Sequence, residues 1–242
     1  MKTTEYIQLK IDRFPKGYVF TYKDFITEVN KSEAIIKSLN RMAMSGRINK
    51  LSKGKYYKPE SNVFGSLLPD QSQVVKDLLE KDGKLIGYIT GYGVYNRLGL
   101  TTQVSNTIQI GRNEPRPAFK RGNYTIAFVK QKNAITKESI PLLQLLDAVR
   151  NIKKIPGTDI ISACKRLLTI VKDLPGNDIV NMVRLAQKYP PATRSLLGAL
   201  LEQSGNGSTT ESLKRTLNPI TVYKLSGVNK VLLTAENWNI KS

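Results

Sequence analysis

The capping residues and glycine and proline breaks of the first 58 positions leave that stretch few ways to fold. Thr3 or Thr4 can cap a helix whose apolar positions Tyr6, Ile7, Leu9, Ile11 and Phe14 supply a core face, and Pro15-Lys16-Gly17 ends it. Tyr18-Val19-Phe20 is β-prone, and Thr21 can cap a second helix over residues 22–29 that buries Phe25, Ile26 and Val29. Asn30 followed by Glu33 has the spacing at which both ends of a helix's first turn are satisfied, so a third helix is expected from about Lys31. At 100° per residue Ile35, Ile36, Leu39, Met42 and Ala43 share one arc, while Ala34, Lys37, Ser38 and Arg41 form an outward stripe. Gly46 closes that helix, and residues 47–51 and 55–58 read as two short strands around the turn Ser52-Lys53-Gly54. Helix, helix, helix, hairpin is the order of a winged helix-turn-helix.

Charge is distributed unevenly along this stretch. Residues 31–58 hold Lys31, Lys37, Arg41, Arg47, Lys50, Lys53, Lys55 and Lys58 against Glu33 alone, and eight minus one leaves +7. Residues 1–30 hold five basic residues against four acidic ones, a net +1. The whole chain carries a formal +19 and a pI near 9.9, so its average field attracts polyanions, and double-stranded DNA is the expected partner. In a major-groove dock Lys37 and Arg41 could reach guanine or phosphate and Ser38 could read either. Lys50, Lys53 and Lys55 would grip the backbone, and Lys31, Ser32 and Arg47 complete the candidate DNA-binding set. For any one of these lysines a merely solubilising role is an equal reading; the clustering is what favours DNA.

The composition excludes much chemistry. With no histidine, Ser-His-Asp and Cys-His catalysis and histidine-bearing zinc sites are ruled out. The lone Cys164, among Ile160, Ile161, Leu167 and Leu168, reads as a packed core residue. No phosphate loop or dinucleotide fingerprint is present, and Gly65-Ser66 lacks the Asp-x-Asp pair of a nucleotidyltransferase. A nuclease could be assembled from Asp70, Asp82 and Lys84, but Asp82-Gly83 reads as a helix end and turn. No enzyme, metal or cofactor is expected. No segment approaches the roughly 18 apolar residues of a membrane span, and the start lacks a signal-peptide pattern, so a cytoplasmic location away from membranes is expected.

Pro59-Glu60-Ser61-Asn62 reads as a linker, which divides the chain into a DNA-binding domain, 1–60, and a second domain, 61–242, for an α+β fold overall. In the second domain a helix is expected over 71–81, strands near 85–89, 107–110 and 124–129, and a short helix capped by Thr90. The basic connection 112–123, with Arg112, Arg116, Lys120 and Arg121, is a possible second binding loop or simply an exposed, charge-solubilised one. Residues 136–205 read as a helical array broken by Pro156-Gly157, Pro175-Gly176 and Pro190-Pro191, and short strands are expected at 221–225 and 231–233.

Several of these segments are similar to those of the AbiEi-like antitoxins of type IV toxin-antitoxin (abortive infection) systems. The similar stretches are Gly54-Lys55-Tyr56-Tyr57-Lys58-Pro59, Phe64-Gly65, Gly87-Tyr88-Ile89-Thr90-Gly91, Tyr95 through Val104, Leu145-Leu146-Asp147-Ala148 and Leu217-Asn218-Pro219. The resemblance spans nearly the whole chain. It implies an autorepressor whose residues 1–60 bind inverted repeats in its own promoter, and whose remainder counteracts a nucleotidyltransferase toxin with or without touching it. A winged-helix regulator with a ligand- or partner-binding second domain is the alternative, and an Mg²⁺-dependent nuclease the weaker one.

Overall fold

The computed structural model describes residues 3–26, 32–63 and 65–242. The chain forms two units: Met1–Asp77 with Lys120–Tyr124, and Leu78–Phe119 with Thr125–Ser242. Both mix helices and short strands, and the fold is α+β.

In the first unit α1 (Thr3–Arg13) leads to β1 (Val19–Phe20) and a 3-10 turn, Tyr22–Phe25. Thr21 and Asp24 cap that turn reciprocally, the Thr21 amide donating to Asp24 Oδ2 at 2.7 Å. The rest of the helix expected over 22–29 lies largely outside the described residues, as does Lys31. The next elements are α2 (Ser32–Met44), β2 (Asn49–Ser52) and β3 (Lys55–Tyr57). The strands form an antiparallel sheet in the order β1-β3-β2. Gly54, at φ +71°, makes the tight turn between β2 and β3 that a side chain would strain. The core is Ile7, Ile11, Phe20, Phe25, Ile35, Leu39, Met42, Ile48 and Tyr56, with Phe20 and Phe25 edge-to-face at 5.8 Å. Leu9, expected in that core, is instead exposed, since one helical face accommodates Ile7 and Ile11 but not the residue between them.

The first unit does not stop at a linker near residue 60. Glu60–Asn62 is strand β4, paired antiparallel with β5 (Gly65–Leu67). Asp70 caps α3 (Gln71–Val74) by accepting from the Ser72 amide at 2.7 Å. The single helix expected over 71–81 is broken at Val75 into α3 and α4 (Lys76–Leu79). The chain then enters a hairpin, β6 (Glu80–Lys81) and β7 (Lys84–Leu85). Asp82 and Gly83 both have positive φ, as a type I′ hairpin turn requires, so Asp-Gly here signals a hairpin rather than a helix end.

Next along the chain come β8 (Tyr88–Thr90), α5 (Tyr92–Arg97), β9 (Thr107–Arg112), β10 (Phe119–Arg121) and β11 (Tyr124–Lys130), of which residues 120–124 belong to the first unit. The sheet order is β10-β11-β9-β8, with β9 antiparallel to β8 and parallel to β11. Four helices follow: α6 (Ser139–Arg150), α7 (Ile160–Lys172), α8 (Gly176–Ala186) and α9 (Pro191–Gln203), then the short α10 (Glu211–Lys214). The proline-bearing breaks fall between these helices, as the sequence predicts. Cys164 is buried among them, and burial pushes its thiol up to about 12, so it packs as an inert apolar group. At the end, β12 (Tyr223–Lys224) pairs in parallel with β13 (Ile240–Lys241). No strand forms at 231–233; that stretch follows the 3-10 turn Val228–Lys230, where Val228 and Leu232 are buried at one-turn spacing and Leu233 is exposed.

Candidate nucleic-acid interface

Helix α2 buries Ile35, Ser38, Leu39 and Met42. Ser38 is 1% exposed and its hydroxyl has no hydrogen-bond partner, so it cannot read a base. Its position explains this: at 100° per residue Ser38 lies at the edge of the apolar stripe, on the far side of Met42 from Leu39, and packing turns that edge inward rather than the Ile36 edge. The outward face is therefore rotated from the one expected and consists of Glu33, Ile36, Lys37, Asn40, Arg41 and Met44. Ser32, at the start of the helix, is also exposed.

One hydrogen bond ties that outward face to the hairpin: Tyr56 on β3 donates its hydroxyl to Asn40 Oδ1 at 2.7 Å. The register partner of Tyr56 on β2 is Lys50, and directly opposed residues of an antiparallel pair project to the same side of the sheet. Lys37 precedes Asn40 by one turn and Arg41 follows it directly. Lys37 and Arg41 thus flank Asn40 along the helix, Lys50 lies opposite Tyr56 in the sheet, and Lys53 stands in the turn beyond. All four are exposed, and among the described residues none of them forms an ion pair.

Three other basic residues of the same stretch serve the fold. Arg47 reaches Asp12 at 3.4 Å, and Lys58 donates to the carbonyls of Asp12 and Phe14 at the end of α1, each at 2.8 Å. Lys55, expected to grip DNA, is half-buried and pairs with Asp77 at 3.1 Å. Burial pushes the Asp77 carboxyl up, but Arg121 and Lys55 outweigh it and hold it below the usual carboxylate range.

Arg121 differs from the loop expected around it. It is 6% exposed and grips Asp77 through both terminal nitrogens, at 2.6 and 3.1 Å, while donating to the Val74 carbonyl at 2.7 Å. A buried guanidinium must be paired and hydrogen-bonded, so Arg121 is a structural clamp of the first unit and not part of an exposed binding loop. Lys120 beside it is exposed. In the second unit Arg112 is half-buried at the end of β9, and Arg116 lies over the Phe119 and Phe128 rings at 5.1 and 5.2 Å. The four residues therefore do not act as one loop.

Residues 6–179 match DUF6088, described as a family of unknown function. The chain belongs to this family. No curated protein matches it. Among solved structures it is similar to the Rv2827c protein from Mycobacterium tuberculosis, at 13% identity and a TM-score of 0.59, over 91% of this chain and 83% of that one. At that identity the likeness speaks for the fold alone.

In the second unit of this DUF6088 protein, segments far apart in sequence meet at one buried carboxylate. Asp147 on α6 is 1% exposed and accepts hydrogen bonds from Tyr88 (2.7 Å), Thr90 (2.8 Å) and Tyr189 (2.9 Å). Gln131 donates to both tyrosine hydroxyls, at 2.8 and 2.9 Å, and accepts from Asn133. Gly111, paired with Tyr88 in the sheet, leaves the space its ring occupies, since a Cβ there would fall 2.4 Å from the ring. Burial raises the Asp147 carboxyl above its ordinary range even though the three hydroxyls oppose that shift. Burial and the neighbouring Asp147 push the Tyr88 and Tyr189 hydroxyls upward as well, so neither ionises near neutrality. In the sequence residues 87–91 and 145–148 stand as separate motifs. The signal that links them is the pairing of buried tyrosines with an Asp inside an apolar helix.

Among the described residues there is no cluster of three or more His, Cys, Asp or Glu side chains that could hold a metal ion, and no helix is long and apolar enough to cross a membrane.

Proposed function

We propose that the first unit is a winged-helix DNA-binding module that lays α2 in the major groove and hairpin β2–β3 against the backbone. The observation that carries this reading is the set of four exposed cations, Lys37, Arg41, Lys50 and Lys53, around the Asn40–Tyr56 hydrogen bond. Cations held against a rigid, convex helix and hairpin can release counterions from a duplex without first being ordered. The element order helix, strand, turn, helix, hairpin and the sheet order β1-β3-β2 support it.

With the resemblance to AbiEi-like antitoxins, this leads to a cytoplasmic autorepressor that binds inverted repeats in its own promoter and counteracts a nucleotidyltransferase toxin. The antitoxin activity rests on that resemblance alone. A regulator whose second unit senses a small ligand is the second reading, favoured by a cation-lined cavity in that unit. Co-expression with the neighbouring gene separates the two: rescue from a toxic neighbour supports the antitoxin, and a harmless neighbour supports the plain regulator.

The test is fluorescence anisotropy on DNA from just upstream of the gene, across a salt series. The triple variant Lys37→Ala, Arg41→Ala, Lys53→Ala should bind more weakly, with the slope of log K against log salt reduced by up to about 3 if each cation neutralises one phosphate. An unchanged affinity and slope would remove α2 and the hairpin as the interface.

A further inference from the structure

A cavity of about 480 Å³ opens in the second unit, where the end of β11, the end of α8 and the start of α9 converge. Its floor is the Gln131 and Tyr189 pair, both buried and both held through the Asp147 network. Its walls carry five cationic side chains: Lys130, Lys132, Arg150, Lys188 and Arg194. No acidic side chain lines it. The nearest carboxylate in sequence, Asp147, lies one helical turn before Arg150 and attracts it, but Asp147 is held by three hydroxyls beneath the floor and forms no ion pair with it.

These cations are not used up by the fold. Lys130, Lys132, Arg150 and Lys188 are exposed, and among the described residues none is ion-paired; Lys188 makes one long bond, 3.3 Å, to the Lys132 carbonyl. Arg194 is fixed differently, its terminal nitrogens donating to the carbonyls of Gln187 and Thr216 at 3.1 Å while its Nε is buried without a partner. Five like charges converging on one concavity repel one another and raise the local potential, an arrangement relieved by a multivalent anion. The volume is that of a site for a nucleotide-sized ligand. Lysines without fixed acceptors suit phosphate oxygens, and an arginine pinned by carbonyls keeps its charge in place.

We propose that this cavity binds a compact polyphosphate, the phosphate tail of a nucleotide, with Arg150, Lys132 and Lys188 contacting the phosphates over the Gln131–Tyr189 floor. This site shares no residue with the helix–hairpin interface, and the proposal does not depend on that reading.

The experiment is calorimetric titration of the full-length protein with inorganic triphosphate and with ATP at physiological salt. One-to-one saturable binding of triphosphate is expected, weakened at least tenfold in Arg150→Gln/Lys188→Gln and unchanged in Lys37→Gln/Arg41→Gln. These positions are exposed, so the variants should retain the parent's circular dichroism and melting temperature. ATP binding as well as triphosphate identifies a nucleotide as the source of the phosphate, and triphosphate binding without ATP identifies a free polyphosphate; both support the site. Absence of saturable binding, equal weakening by the two double variants, or displacement of triphosphate by a short duplex at lower concentration than by ATP would each overturn it.

Discussion

Each unit withdraws a carboxylate from water, Asp77 partly and Asp147 wholly, and they stabilise it by opposite means. In the first, Asp77 faces the guanidinium of Arg121 and the ammonium of Lys55, and those charges hold it ionised. In the second, Asp147 forms no ion pair and is surrounded by the neutral hydroxyls of Tyr88, Thr90 and Tyr189, with the charge of Arg150 only the weakest of the influences that lower it. Neutral donors recover only part of the solvation lost on burial, so its carboxyl is raised where that of Asp77 is lowered. Arg150, one turn away, attracts the Asp147 carboxylate without pairing with it, and its side chain lines the cavity.

The contrast is broken most severely at Asp147. Asp147→Ala strands three buried hydroxyls, and a loss of about 4 kcal/mol is expected, read from urea unfolding followed by the fluorescence of Trp238, the only tryptophan. Asp147→Asn keeps acceptors for two of the hydroxyls and should retain most of that stability. Equal losses in the two variants would mean that volume, not hydrogen bonding, is what the site needs.

A pH series sharpens the comparison, because the two groups contribute with opposite sign. For Asp77, lowered in the folded state, the stabilisation is present above the unfolded value of about 3.9 and is lost as pH falls through the folded value. For Asp147, raised in the folded state, the contribution is complete below about 3.9 and declines as pH rises through the folded value. Asp77→Asn should therefore flatten the acid limb of the stability profile. Asp147→Asn should remove the decline on its alkaline side. Unfolding midpoints measured from about pH 2 to about 7 will show whether the two variants act on opposite limbs; a shift of the same limb by both would refute the assignment of opposite directions.

The smallest effect is expected at the hairpin. Tyr56→Phe removes the bond to Asn40, and because Asn40 is exposed, water replaces the tyrosine there. About 1 kcal/mol of stability should be lost, together with a modest fall in duplex affinity as α2 and β3 are no longer pinned. An affinity loss as large as that of the triple cation variant would mean that Tyr56 or Asn40 touches DNA directly.

How far the sequence could be read depended on the range of the interactions involved. Helices α6 to α9 were legible because apolar periodicity and proline breaks are local signals. The face of α2 was not, since Ser38 and Ile36 lie near the two edges of the same arc and only packing decides which of them turns inward. Arg121 was misplaced for a related reason: its partners Asp77 and Val74 lie more than forty residues away, and nothing near it in the chain announces them.

By itself, the sequence determined the punctuation of the chain, the absence of histidine chemistry, the basic excess of residues 31–58 and the apolar stripe of each long helix, because each follows from residue type and spacing along a few turns. Only the tertiary structure decided which cations remain available. Arg47, Lys55, Lys58 and Arg121 are taken up by carboxylates and carbonyls brought to them from distant segments, while Lys37, Arg41, Lys50 and Lys53 are left to solvent. The physical reason is that a charge is a local property of the residue, whereas its neutralisation belongs to whatever the folded chain places within a few ångströms of it.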